Sequence, residues 1–85
     1  MVHLVALEGD AGDVGQAAQW LQNQMDGWVR LRPGVYVVAT HLAAAQVRDL
    51  LGGGAQVLVA QLTGAWGAIG LPEVANWMTG AKRAF

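Results

Sequence analysis

With 85 residues and a formal charge of −1, the chain has room for one hydrophobic core and lacks the basic surplus expected of a nucleic-acid binder. Charged residues make up 13% of the chain, half the usual share of about 25%, and hydrophobic residues 54%; so few charges cannot dress a small monomer, and self-association is expected. The absence of cysteine excludes a disulfide framework, a thiolate nucleophile and a cysteine-based metal site.

The first expected element is a strand over Val2–Leu7, apolar at nearly every position instead of every second one. A strand with one wet face alternates, so a continuous run implies burial on both faces. Glu8-Gly9-Asp10-Ala11-Gly12 supplies turn chemistry, and Asp13 is placed to cap a helix running to about Met25. Val14, Ala17, Ala18, Leu21 and Met25 form one face of that helix, and Asp26-Gly27 stops it. Trp28–Arg32 alternates and reads as an edge strand. Pro33-Gly34 makes a tight turn into Val35–Ala39, the second continuously apolar run.

Thr40 or His41 opens a second expected helix carrying Ala43, Val47, Leu50 and Leu51, ended by Gly52-Gly53-Gly54. A strand over Gln56–Leu62 follows, then a glycine-rich stretch, Thr63–Leu71, that holds Trp66 and Ile69. Pro72 suits a first helical position and Glu73 a first turn; Val74, Trp77, Met78 and Ala81 form an apolar stripe, and Lys82-Arg83 suit a helix C-terminus. No basic region precedes the first apolar run, which Glu8, Gly9 and Asp10 interrupt, so no secretory signal is expected. The apolar runs fall short of the ~20 residues of a membrane span, and a cytoplasmic protein is expected.

The order β-α-β-β-α-β over a single domain, residues 1–85, predicts an α+β, ferredoxin-like fold with an extra C-terminal segment and short helix. In that arrangement the first and third strands are central, matching the two runs without alternation. Both main helices pack on one sheet face. The other face exposes Tyr36 and Val38, or their neighbours of opposite parity, unless a second copy covers it. The expected dimer interface is therefore Tyr36, Val38, Trp66 and Ile69.

Three groups of residues invite a chemical reading. Glu8 and Asp10 share strand parity if the first strand extends that far, and two carboxylates can bind a divalent cation; a solvated turn with Asp13 as cap is the plainer account. Gly9, Gly12 and Gly15 lie where phosphate loops occur, without the spacing of one. Trp28, Arg30 and Arg32 share one parity on an edge strand, a stripe able to stack on and neutralise single-stranded nucleic acid. Arginine on an exposed edge also discourages stray strand pairing. His3 and His41 have no evident nucleophile partner and read as structural. Of the four tryptophans, Trp77 suits the core, while Trp20 and Trp66 are candidate interface anchors.

Several stretches together resemble the SinR-like group of small ferredoxin-like proteins, themselves similar to the small dimeric subunit of the CRISPR spacer-acquisition complex. They are a tryptophan late in the first helix, the Trp28 strand, Val35-Tyr36-Val37-Val38-Ala39-Thr40, Val47-Arg48-Asp49-Leu50-Leu51, Gly64-Ala65-Trp66, Leu71-Pro72-Glu73 and Trp77. The resemblance implies a homodimer with sheets face to face, the segment after the fourth strand crossing to pair with the partner. In nuclease-active relatives an aspartate ends the first strand and holds a metal. Here that position is Glu8, followed by glycine, so the resemblance implies a dimeric scaffold more than an enzyme.

The expected function is that of a small homodimeric protein acting through protein–protein contacts, without catalysis or cofactor. Its partners are a second copy and, beyond it, another protein, with no membrane. High alanine, glycine and valine with little lysine suits an accessory protein of a high-GC bacterium or its phage. The rival is a weak metal-dependent nuclease or nucleic-acid binder using Glu8 and Asp10 for metal and catalysis and Trp28, Arg30 and Arg32 for the nucleic acid. A small-ligand sensor built on the dimer cleft is a third class.

Overall fold

The two runs that never alternate become the inner strands of the sheet. In the computed structural model, which describes residues 1–63 and 72–80, β1 (Val2–Glu8) and β3 (Val35–Ala39) pair with each other. They are flanked by β2 (Gly27–Arg32) and β4 (Gln56–Gln61) in an antiparallel sheet of order β2-β3-β1-β4. Three helices complete this α+β domain: α1 (Ala11–Gln24), α2 (Ala44–Leu51) and α3 (Pro72–Gly80).

Side chains of opposite parity feed two separate cores. Val5, Leu7, Tyr36 and Val38 point to the face where α1 and α2 supply Ala17, Leu21, Val47 and Leu51. Val2, Val29 and Val37 lie on the other face, where α3 brings Met78, with Val74 and Trp77 beside it. This corrects one sequence expectation. Part of the missing cover for the second face comes from this chain's own C-terminal helix. Pro72 does open that helix, and Trp77 does pack in a core.

Two helix starts move. Asp13 was expected to cap α1, yet the helix begins at Ala11 with Asp10 as N-cap, and the Val14 N–H donates to the Asp10 carbonyl at 2.9 Å. Asp13 then sits in the first turn, where a carboxylate still favours the positive end of the helix. The second helix starts at Ala44, not at Thr40 or His41, because Thr40 engages its own backbone: its Oγ1 accepts the Leu42 N–H at 3.2 Å. Gln46 Oε1 accepts the Ala43 N–H at 2.8 Å and so satisfies the amide at the helix entry.

The Pro33-Gly34 turn is under tighter constraint than a surface hairpin needs. Gly34 has φ +85°, and its carbonyl accepts the Leu7 N–H at 2.7 Å, tying the turn to β1. Gly15 is the opposite case. It lies inside α1 with a negative φ, and a Cβ there meets nothing within 4 Å. Gly15→Ala is expected to stabilise the domain by about 1 kcal/mol through helix propensity and lost unfolded-state freedom. A urea midpoint no higher than that of the parent would refute this.

Candidate functional site

Each candidate group can now be placed. Glu8 ends β1, exposed and opposite Gln56 of β4. Its parity puts it on the α3 face, where it borders a groove with Ala6, Arg32, Val35 and Leu58. Asp10 caps α1 beyond Gly9, with no side-chain hydrogen bond to the helix. Asp13 turns toward the loop after α2, close enough that a Cβ on Gly54 would lie 2.9 Å from its Oδ2. The three acidic residues thus serve a strand end, a cap and a loop contact. No group of three or more histidine, aspartate or glutamate side chains suited to a metal is assembled among the described residues.

The aromatic-basic stripe contains a bulge. β2 and β3 pair in register from Gly27↔Ala39 to Arg30↔Tyr36, then shift so that Arg32 lies opposite Val35. Tyr36 belongs to the helix-covered face and Val35 to the other, so the slip changes the parity of Arg32 relative to Trp28 and Arg30, yet all three still line one groove along the β2 edge, with Glu73 of α3 beside them. Trp28 meets Tyr36 edge to face at a 6.0 Å centroid distance, and Gln22 donates to the Tyr36 hydroxyl at 3.3 Å. At 39% exposure Trp28 keeps only part of its ring surface for stacking on a base. A bulge leaves no mark in the order of residues, so the change of parity at Arg32 was not legible in the sequence.

The two histidines differ sharply. His41 is exposed and stands 3.5 Å from Asp26. His3 is wholly buried on the face under the helices, and its Nε2 lies 2.7 Å from the Leu42 carbonyl. A carbonyl only accepts, so the Nε2–H donates to it, while Nδ1 is buried with no hydrogen-bond partner among the described residues. The ring ties β1 to the entry of α2.

The expected interface residues fare unevenly. Tyr36 and Val38 are 3% and 0% exposed inside the core beneath α1 and α2, so as folded they have no surface to give a partner. Their opposite-parity neighbours Val35 and Val37 are the ones that line the other face. Trp66 and Ile69 lie outside the described residues. Trp20 is half-buried against the helix-side core and borders a shallow groove between α1 and α2 with Leu50.

The residue that sequence reading passed over is Leu58. It sits mid-strand in β4 on the α3 face, beyond the area α3 covers, and is 61% exposed. The signal was available: Leu58 and Ala60 share a parity whose partners on β1 are Ala6 and Leu4, a strip with no charge. No family model, curated protein or solved structure matches this chain.

Proposed function

We propose that this chain is a ferredoxin-like homodimer acting through protein–protein contacts without catalysis. The fold reading is supported by the order β2-β3-β1-β4, antiparallel throughout, with α1 and α2 on one face. The observation that carries the assembly is the half-covered second face. There α3 packs against β2 and β3 residues, while Leu58 and Ala60 of β4 stay open to solvent. An apolar strip on a domain with so few charges calls for a protein partner, and the one always present at equal concentration is a second copy.

Non-catalytic action is supported by the dispersal of Glu8, Asp10 and Asp13 over a strand end, a helix cap and a loop contact. Sedimentation equilibrium at tens of micromolar is expected to return twice the chain mass of 8.9 kDa. A monomer at that concentration would refute the dimer. Labelled RNA and DNA incubated with magnesium or manganese should remain intact. Cleavage that disappears in Glu8→Gln would overturn the non-catalytic reading in favour of a metal-dependent nuclease.

A further inference from the structure

Among the described residues the sheet has two open edges, and they are built to opposite specifications. β2 carries Arg30 and Arg32 and a bulge between them, both devices that discourage another strand from adding. β4 has neither. Gln56–Gln61 contains no charge and no proline, and its register with β1 runs unbroken from His3↔Gln61 to Glu8↔Gln56. Among the described residues nothing pairs with its outer side. A straight, uncharged, apolar edge is a template for strand addition.

The phase of its hydrogen bonds specifies what can add. The Leu62 N–H donates to the Val2 carbonyl at 2.9 Å, so Val2 and Leu62 form a hydrogen-bonded pair. Antiparallel pairs alternate, so Leu4–Ala60 and Ala6–Leu58 are of the same kind, and the backbones of Val57, Val59 and Gln61 face outward. A strand two-fold to β4 about Leu58 sets Val57 opposite Val59 of its mate, each using outward-facing groups. Leu58 meets its own counterpart as a non-hydrogen-bonded pair, the kind that brings side chains closest. About that two-fold each contact occurs twice, Val57 with the partner's Val59 and Val59 with the partner's Val57, so valine meets valine on both sides of Leu58.

We infer that two copies of this chain join edge to edge through β4, centred on Leu58, giving one continuous eight-stranded sheet. The inference rests on the homodimer reading above and specifies its geometry. It also explains how a dimer forms while α3 occupies part of the face: a flush sheet-on-sheet closure collides with that helix, whereas edge pairing leaves it in place. The pairing brings Leu58, the most exposed large apolar side chain among the described residues, against its counterpart on the face that α3 leaves open.

The chain has no cysteine, so single-cysteine variants give a direct test. Leu58→Cys places two thiols across the two-fold at the Cα separation of a non-hydrogen-bonded pair, about 4.5 Å, within disulfide range. Gln56→Cys places them four residues out of register, more than about 13 Å apart along the strand. With diamide at tens of micromolar chain, Leu58→Cys is expected to form a disulfide-linked dimer at least tenfold faster than Gln56→Cys. Leu58 is exposed in the subunit, so Leu58→Lys should fold with an unchanged circular dichroism spectrum and sediment as a monomer. A wild-type dimer whose Leu58→Cys variant crosslinks no faster than Gln56→Cys overturns the edge pairing and leaves the homodimer standing. A wild-type monomer overturns both.

Discussion

Gly34→Ala is expected to destabilise the domain by about 3 kcal/mol. A left-handed backbone costs an L-residue roughly 1–2 kcal/mol, and Gly34 sits at φ +85°. The new Cβ would also lie 2.7 Å from the Leu7 carbonyl oxygen. That atom belongs to a central strand, so the turn must move instead, and the Leu7 N–H to Gly34 carbonyl bond of 2.7 Å is strained with it, adding about 1 kcal/mol. A domain of 85 residues holds roughly 4–13 kcal/mol in all, so the loss is a large fraction of its stability. Urea unfolding measures it, and a cost under about 0.5 kcal/mol would show that the turn yields freely. Gly53→Ala is the control. A Cβ there meets nothing within 4 Å and the residue has no positive φ, so its midpoint should stay near that of the parent.

His3→Ala should cost a similar amount, about 3 kcal/mol, by a different route. The ring is wholly buried, so truncation leaves a cavity in the helix-side core and strips the Leu42 carbonyl of its donor. His3→Leu separates the two contributions. It restores most of the volume and removes the orphaned Nδ1, while still losing the bond to Leu42. Its cost should fall to about 1–2 kcal/mol, the penalty of leaving the partly buried Leu42 carbonyl without its donor. Equal losses in the two variants would mean that the hydrogen bond, not the filled volume, holds β1 to the entry of α2.

These effects bear on function because both residues anchor β1, the strand against which β4 is held. His3 and Leu7 bracket the stretch that pairs with Leu58 and Ala60. A loosened β1 loosens the edge offered to a second copy. Destabilised variants should therefore lose dimer before they lose secondary structure, a sequence that sedimentation and circular dichroism can follow on the same samples.

Much of the architecture was legible because burial leaves a pattern in residue type. Val2–Leu7 and Val35–Ala39 lack alternation because each lies between two strands and sends apolar side chains into a core on either face. Trp28–Arg32 alternates because Val29 is buried and Leu31 packs against the α3-side core, while Trp28, Arg30 and Arg32 are exposed. Pro33-Gly34 marked a turn, and Pro72 a helix start, since proline and glycine restrict or free the backbone wherever they occur. The helix starts were less legible. Asp10 and Asp13 are equally good caps by type, and only the geometry after Gly9 selected Asp10.

The candidate site was legible in its ingredients and not in their arrangement. Parity places Tyr36 and Val38 together on one face, but it does not say which face the helices take; packing against Leu21 and Val47 decided that. The same parity joins Arg32 to Arg30; a single unpaired residue shifts the register between them, and only the folded edge shows that both still line one groove. By itself the sequence determined that this is a small α+β domain with two doubly buried strands and too few charges for its surface. Only the tertiary structure decided that α3 covers part of the second face and that Leu58 remains open on β4. The reason is physical: which strand a residue belongs to follows from local pattern, whereas what lies across from it depends on contacts between segments far apart in the chain.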